Sequence, residues 1–400
     1  MQKVVLKNGL TILYQPKPGA AVVVEVMVKV GSNNEGPNER GLSHFLEHIL
    51  FEGTVKRPTN RDIANAIESV GGEFNAYTTT DRTCFYIKVL RKHLVLAIEI
   101  LADIVQYPLL NPSDITKEKK VVLKEIDMVF DDPRFYQWIL LQQHLFVKHP
   151  SRFPTYGNKK VIRLLTPQKV RDYFQKYYVP QNMVVTIVGD VANWKQEIES
   201  RFVQRRGGVN KKIIMPELPA TKNTLMKEKR HMANTYCVMG FKTVARGHAD
   251  SYVLEVINGI LGRGQSGKMF TEIRGKRGLA YEVGTQSVGE LTSGYFAVYA
   301  SIDKKNLSLV KRLMQEELDK LQKTSAKDLQ EAQEYIEGDY LLDLEDHQKL
   351  ADQILYWQQI RDAQLMKTYL KNIKKVTLQD VRRVAKKYFK YHTLVVLEGK

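Results

Sequence analysis

Two periods of hydrophobic positions alternate along the N-terminal part of the chain. Apolar residues recur at every second position in residues 4–14, on both sides of Asn8-Gly9, and again in residues 83–89. A period of two is typical of half-buried β-strands, and an Asn-Gly pair between two such runs indicates a hairpin. Residues 22–30 are almost continuously apolar and predict a further strand. These segments together predict a sheet in the first half of the chain.

Other segments carry apolar residues at the spacing of an α-helix. The predicted helices cover residues 41–50, 61–70, 94–105 and 114–130. Ser113 or Asp114 is expected to cap the last of these helices, which should end before Pro133. Strands and helices do not alternate regularly, so the pattern predicts an α+β fold with partly antiparallel sheets rather than a doubly wound sheet.

One helix-and-strand pattern occurs in both halves of the chain, at a constant offset of 211 residues. Residues 166–178 and 377–389 both begin with threonine, continue at helical spacing and end in two aromatic residues. A valine pair follows each of them, Val184-Val185 or Val395-Val396. A repeat of half the chain indicates two similar domains from an internal duplication, rather than a solenoid of short repeats.

The boundary between these domains is expected between residues 205 and 225. This segment contains Gly207-Gly208, Pro216 and Pro219 and has no clear periodicity, which is typical of a linker. We therefore expect an N-terminal domain in residues 1–211 and a C-terminal domain in residues 212–400.

Composition excludes several classes of protein. The two cysteines, Cys84 and Cys237, provide neither a disulfide framework nor a cysteine zinc site, and they fit a reducing cytoplasm. The N-terminus does not resemble a signal peptide, and no apolar run is long enough to span a membrane. The net charge is +17, but the basic residues are dispersed and lack an aromatic base-stacking motif. We therefore expect neither a membrane nor a nucleic-acid partner.

The helix predicted for residues 41–50 carries the candidate chemistry. Its apolar residues form one stripe, and His44, Glu47 and His48 fall on the opposite side. Two imidazoles one turn apart can bind one metal ion, and Glu47 can take a proton from water whose pKa the metal has lowered. An ordinary solvated helix face is the alternative. With 9 His and 44 acidic residues in 400, however, chance gives only roughly 0.02 matches to H-x-x-[acid]-H.

Two carboxylates on a later predicted helix are candidates for a third ligand. Glu118 and Glu125 are seven positions apart, about two helical turns, and therefore share one face. Several lysines surround them in the sequence. From the residues alone, a surface charge pattern explains the two glutamates equally well.

The motif His44-x-x-Glu47-His48, followed by Glu125 after 76 intervening residues, resembles the pitrilysin/insulinase-type zinc peptidases, the inverzincins. The chain is most similar to their short members related to the mitochondrial processing peptidase, along essentially its whole length. This resemblance implies one Zn²⁺ per chain, bound by His44, His48 and Glu125. It also implies that Glu47 is the general base and that Glu118 lies beside the site.

Two more stretches resemble motifs of this family. Residues 74–78 are similar to the family's active-site strand, which implies substrate-binding roles for Asn75, Ala76 and Tyr77. An ordinary edge strand is the alternative. Residues 273–281 are similar to a motif whose arginine and tyrosine hold the substrate and polarise the scissile carbonyl, here Arg274 and Tyr281. The glycine-rich residues 262–270 lack phosphate-loop spacing and differ from the family's Ser-Arg-Leu at residues 267–269, so the role of this loop stays open.

The expected function is that of a zinc-dependent endopeptidase that cleaves peptides or unfolded polypeptide segments in an enclosed chamber in the cytoplasm. One alternative is a non-catalytic assembly subunit, although such relatives usually lose metal ligands or the base. Another is the active half of a heterodimeric processing peptidase, in which the zinc motif and the Arg/Tyr motif tend to be on different chains. This chain has both motifs, which favours a homodimer.

Overall fold

The computed structural model describes residues 1–203, 207–208 and 214–399. The domain boundary expected between residues 211 and 212 lies outside these described residues. The division into residues 1–211 and 212–400 therefore stays a prediction.

The described part of the chain contains eleven strands and fourteen α-helices. The strands are β1 (Gln2–Val5), β2 (Thr11–Gln15), β3 (Ala21–Val28), β4 (Glu73–Thr78), β5 (Thr83–Leu90), β6 (Met183–Val188), β7 (Thr224–Arg230), β8 (Thr235–Lys242), β9 (Ala280–Gly289), β10 (Gly294–Ile302) and β11 (Thr393–Gly399). The helices are α1 (Leu42–Ile49), α2 (Asn60–Glu68), α3 (Leu94–Gln106), α4 (Pro112–Asp131), α5 (Pro133–Leu145), α6 (Lys159–Arg163), α7 (Pro167–Tyr177), α8 (Trp194–Arg201), α9 (Asp250–Gly262), α10 (Leu307–Asp319), α11 (Ala326–Asp343), α12 (His347–Ile360), α13 (Tyr369–Lys374) and α14 (Leu378–Tyr388).

The predicted N-terminal elements are confirmed within a few residues at their ends. Strands β1 and β2 form the expected antiparallel hairpin, and Gly9 in its turn has a φ of 90°, which glycine adopts without strain. The cap of α4 was predicted wrongly. This helix begins at Pro112, so Ser113 and Asp114 lie in its first turn.

Two sheets of the same design confirm the duplicated α+β fold. The first has the strand order β1-β2-β6-β3-β5-β4 and the second the order β7-β11-β8-β10-β9. In the first sheet, β6 pairs parallel with β2 and antiparallel with β3. In the second, β11 pairs parallel with β7 and antiparallel with β8. The two repeat strands therefore occupy equivalent positions, and both sheets are mixed.

The helices that precede these repeat strands also correspond. Helix α7 follows Thr166, whose side chain accepts a hydrogen bond from the backbone N–H of Lys169. Helix α14 follows Thr377, whose side chain accepts one from Asp380 in the same way. The repeated threonine is thus the N-cap of both helices, which gives a physical reason for its place in the repeat.

The chain forms two compact units, each assembled from separate segments. The first contains residues 1–127, a segment that begins at Pro154, and Asp343–Met366. The second contains Met128–Phe153, residues 214–342, and a segment that begins at Lys367. Each unit thus includes a helix from the other half of the chain, which the repeat did not predict.

Buried apolar side chains explain why α12 is part of the first unit and α5 is part of the second. In the first unit, α12 packs against β3 and β6, and its Leu350 and Ile354 share a hydrophobic core with Val23 of β3. In the second unit, α5 packs against β8 and β11, where Leu141 and Val238 belong to one core. Each sheet therefore buries an apolar face under a helix that is distant in sequence.

Both cysteines are buried and unpaired. Among the described residues, no helix has the length and apolar character needed to cross a bilayer.

Glu217 fixes a turn of the second unit through a buried ionic contact. Its carboxylate accepts hydrogen bonds from the backbone N–H groups of Val147, Lys148 and His149 at 2.8–3.0 Å. The Lys242 ammonium donates to the same carboxylate at 2.8 Å, and the Glu217 side chain is only 9% exposed. Burial alone raises the pKa of Glu217, but Lys242 and the backbone N–H groups lower it to about 2.

We expect Glu217→Gln to lower the free energy of unfolding at pH 7 by about 1–3 kcal/mol, because the ion pair with Lys242 is lost and the remaining hydrogen bonds have an uncharged acceptor. The folded-state pKa lies below the unfolded value of about 4.3. The stabilisation is therefore complete above that value and is lost as pH falls toward 2. Urea unfolding at pH 7 and pH 3 measures both effects. Glu68→Gln, at an exposed position, is the control, and an equal loss in both variants would contradict the assignment.

Candidate metal centre

Helix α1 is held by the apolar stripe that the sequence predicts. Leu42, Phe45, Leu46 and Ile49 are at most 1% exposed, and the helix packs against β4, β5 and α7. The opposite side is not a solvated face, because His44 is only 6% exposed. Burial of this polar residue excludes the ordinary surface helix that was the alternative interpretation.

The structure brings together the three residues expected to bind metal. The Nε2 atoms of His44 and His48 are 3.3 Å apart. Glu125 Oε2, from α4, lies 3.6 Å from the His44 nitrogen and 3.4 Å from the His48 nitrogen. Three potential ligand atoms thus form a nearly equilateral triangle.

The triangle fits a tetrahedral zinc ion. Zinc bonds of about 2.0–2.1 Å place two tetrahedral ligand atoms about 3.3–3.4 Å apart, close to the separations among His44, His48 and Glu125. Glu125 Oε2 is buried and has no hydrogen-bond partner among the described residues, as expected for an atom that serves as a ligand. Two imidazoles and one carboxylate are also a donor set of catalytic zinc sites, in which a fourth position stays open.

Glu118 orients one of these imidazoles. Its Oε1 lies 2.8 Å from His48 Nδ1, so the proton of neutral His48 belongs on Nδ1 and the Nε2 lone pair faces the other two ligand atoms. Carboxylates in this position fix the ring and make the ligand more basic. The Glu118 side chain is itself buried, which strengthens its electrostatic effect on the ring.

The pKa values of the two histidines reflect these surroundings. Burial lowers the pKa of His44 to about 4, although Glu125 opposes the shift. Burial also acts to lower the pKa of His48, but its contacts with Glu118 and Glu125 raise it to about 10. Without a metal ion, a proton on His48 thus supplies the positive charge that the two carboxylates favour. Metal binding must displace that proton.

Glu47 lies beside the triangle with its carboxylate held in place. The Thr78 hydroxyl donates a hydrogen bond to Glu47 Oε2 at 2.6 Å. Burial raises the pKa of Glu47, while the Thr78 hydrogen bond and the His48 charge oppose that shift. Glu47 and His48 also line an open cleft of about 290 Å³ together with residues of β4. A proton acceptor therefore faces a space where a substrate can enter.

Strand β4 lines this cleft and is the edge of the first sheet. Asn75 and Ala76 lie in the wall of the cleft, and the Asn75 side chain accepts a hydrogen bond from the Ala76 N–H at 2.8 Å. The Tyr77 hydroxyl donates to Asp352 of α12, and Arg82 also contacts Asp352, at 3.0 Å. Of the three predicted substrate-binding residues, Asn75 and Ala76 thus face the cleft, whereas the Tyr77 side chain is bound within the unit.

Arg274 and Tyr281 belong to the second compact unit and lie close to each other. Arg274 Nη1 donates to the Tyr281 backbone oxygen at 2.6 Å, and the Tyr281 side chain is 60% exposed. Arg274 lies in a π-helical turn, Phe270–Gly275, a conformation that is frequent at functional sites. Arg274 thus contacts the backbone of Tyr281, and the substrate-binding role expected for this pair stays a prediction.

Glu35 is a site residue that the sequence analysis missed. Its carboxylate accepts hydrogen bonds from the backbone N–H groups of Gly41 and Ser43, both at 2.8 Å. Gly41 is the N-cap of α1 and has no side chain for this purpose, so the buried Glu35 supplies the capping oxygens and a negative charge at the helix N-terminus. Burial raises the pKa of Glu35 to about 7, against the effect of these N–H groups.

Two family models match the chain. Residues 11–149 match the model described as insulinase, peptidase family M16. Residues 164–336 match the model described as peptidase M16 inactive domain. The first match contains His44, Glu47, His48 and Glu125, and the second contains Arg274 and Tyr281.

Relatives with similar sequences and structures extend over most of the chain. An uncharacterized zinc protease of Bacillus subtilis is 30% identical over 85% of this chain and 83% of its own length. An uncharacterized zinc protease of Streptomyces coelicolor is 30% identical over 96% of this chain and 86% of its own. The crystal structure of a protease from Helicobacter pylori matches with a TM-score of 0.93 at 25% identity, over 99% of both chains.

We expect Glu118→Ala to weaken zinc binding by about 10- to 100-fold, because His48 loses the carboxylate that orients it. Competition with a chromophoric chelator measures the dissociation constant. Glu52→Ala is the matched control, since Glu52 lines the same cleft and pairs with Lys117 instead of a histidine. Unchanged zinc affinity in Glu118→Ala would show that this contact does not orient a ligand.

Proposed function

The chain belongs to the insulinase-type peptidases, family M16, and on this premise we propose that it is a zinc-dependent endopeptidase that hydrolyses peptides or unfolded polypeptide segments. The observation that supports the proposal best is the triangle of His44, His48 and Glu125, with Glu47 beside it in an open cleft. The names of the two bacterial relatives, both zinc proteases, support the same metal and reaction class.

In the proposed mechanism, His44, His48 and Glu125 hold the zinc ion. When bound, zinc lowers the pKa of water and polarises the scissile carbonyl. Glu47 takes a proton from the attacking water and later donates it to the amine that leaves. The Thr78 hydrogen bond to Glu47 Oε2 fixes one carboxylate oxygen, so the other is free for this transfer. The buried surroundings of Glu47 raise its pKa, which suits a group that must both accept and release a proton.

The proposed substrate is an extended peptide that pairs with the edge of β4. An edge strand offers unpaired backbone groups that recognise a peptide main chain with little demand on sequence. The Ala76 N–H, now bonded to the Asn75 side chain, is one donor that a substrate carbonyl would use. We propose that Arg274 and Tyr281 contact the substrate near the scissile bond, and that access is limited to flexible chains.

A non-catalytic role is the alternative, and one observation points to it. Residues 164–336 match a domain described as inactive, and the H-x-x-E-H motif does not recur in the second half of the sequence. The first half, however, retains three potential ligands and the base. The inactive description therefore fits the C-terminal half, whereas the N-terminal half has the residues that hydrolysis needs.

The test of the proposed function is the variant Glu47→Gln. We expect about one zinc per chain in both wild type and variant, because Glu47 is outside the ligand triangle. We expect peptide hydrolysis to fall by at least about 100-fold, since the general base is lost. Elemental analysis and a fluorogenic peptide assay measure the two quantities. Near-normal turnover by the variant, or a wild type that neither contains nor takes up zinc, would rule out this mechanism.

We also propose a symmetric homodimer in which Arg274 and Tyr281 of one chain complete the zinc site of the other. The support is that the two motifs lie in different compact units of one chain, and that Tyr281 is exposed. In a closed two-fold dimer, each of the two sites would contain the zinc motif of one chain and the Arg/Tyr motif of the other.

Complementation between Glu47→Gln and Tyr281→Phe tests this arrangement. If sites are shared between chains, one site of a mixed dimer carries both substitutions and the other carries neither. Random reassortment makes about half of the dimers mixed, so about a quarter of wild-type activity should return. Mixing the two inactive variants and assaying peptide hydrolysis provides the measurement. If subunits exchange and no activity returns, each site is completed within its own chain.

A further inference from the structure

Tyr156 places a phenol beside the metal-binding histidines, within the same compact unit. Its ring meets the ring of His44 edge to face, with centroids 5.4 Å apart and an interplanar angle of 88°. The side chain is half-buried, and within the described part of the chain its hydroxyl has no hydrogen-bond partner. The phenol is thus close to the candidate zinc ligands, and its hydroxyl is available to form a hydrogen bond with a ligand.

The backbone holds Tyr156 at this position by a close crossing of two loops. A Cβ atom on Gly41 would lie 2.8 Å from the Tyr156 backbone oxygen, and one on Gly157 would lie 2.3 Å from the Arg40 oxygen. Both glycines also have positive φ angles, 98° and 81°. Only glycine at both positions lets the loop pass this close to the N-terminus of α1. The Tyr156 ring is therefore fixed against the first turn of the metal-binding helix.

A tyrosine hydroxyl keeps its proton at neutral pH and can donate a hydrogen bond. Tyr156 lies within electrostatic reach of the carboxylates of Glu125 and Glu47. A protonated phenol beside a candidate zinc ligand and a candidate base is a hydrogen-bond donor. Neither carboxylate accepts a hydrogen bond from this hydroxyl within the part of the chain that the structure describes. A substrate bound between these groups can accept that hydrogen bond.

We propose that Tyr156 is a further catalytic residue, whose hydroxyl donates a hydrogen bond to the scissile carbonyl oxygen as negative charge develops there. The inference rests on the proposed peptidase function. The proton stays on Tyr156 throughout, and the interaction strengthens as the carbonyl becomes an oxyanion, which selectively stabilises the transition state. The compact unit that carries the candidate metal ligands thereby supplies an oxyanion donor of its own.

The variant Tyr156→Phe removes only the hydroxyl and keeps the ring against His44. We expect kcat to fall by about 10- to 100-fold, with KM and zinc content little changed, because one oxyanion donor is lost. Tyr107→Phe, which removes an exposed phenol of the same unit, is the control and should keep wild-type kcat. A kcat equal to that of wild type in Tyr156→Phe would overturn the catalytic role.

A binding measurement separates this inference from the proposed function. A peptide phosphonate mimics the oxyanion and requires no turnover, so its affinity for zinc-loaded protein can be measured by calorimetry even if hydrolysis is absent. We expect Tyr156→Phe to weaken phosphonate binding by at least about tenfold, while binding of a matched peptide amide changes little. Equal phosphonate affinity in wild type and variant would show that Tyr156 only packs against His44. Failure of wild type to hydrolyse any peptide would instead count against the proposed function.

Discussion

The candidate metal site depends on three polar side-chain atoms that lie close together. Among the described residues, no single group can form hydrogen bonds with all three. Two imidazole nitrogens and one carboxylate oxygen, from His44, His48 and Glu125, lie 3.3–3.6 Å apart. Buried polar atoms of this kind cost free energy unless a cation or an added proton lies among them. The neighbouring carboxylates raise the pKa of His48, which shows that they also favour a positive charge at this place. The site is therefore built for a cation.

Several contacts keep α1 in the orientation that this convergence needs. Glu35 accepts hydrogen bonds from the N–H groups of Gly41 and Ser43 at the start of the helix, and the Ser43 hydroxyl lies 2.9 Å from the Tyr173 hydroxyl of α7. The apolar stripe then buries the other side of the helix against β4 and β5. Because the ligand spacing must be held within tenths of an ångström, such supporting contacts decide how tightly a metal binds.

The residues of α1 at the candidate site could be predicted from the sequence because their pattern is local, whereas Glu118 and Glu125 were assigned only through the resemblance to a family. His44, Glu47 and His48 lie in one turn and a half of a helix, whose apolar stripe is visible in the same ten residues. Glu35 precedes Gly41 by only six residues, but a single loop carboxylate belongs to no periodic pattern that would mark it as a cap. Tyr156 could not be found from a local pattern either, since its contact with α1 exists only after a loop distant in sequence has folded against the helix. The exchange of α5 and α12 between units was missed for the same reason. Residues such as Leu350 give a helical pattern but do not indicate which sheet they cover.

The most direct measurement is anomalous diffraction at the zinc edge from crystals of the zinc-loaded protein. We expect one strong peak per chain, from a zinc ion bonded to Nε2 of His44, Nε2 of His48 and a carboxylate oxygen of Glu125 at about 2.0–2.2 Å. Glu118 and Glu47 should remain outside bonding distance. A zinc ion bound by other residues, or the absence of a peak among these three side chains at full zinc loading, would contradict this assignment of the ligands.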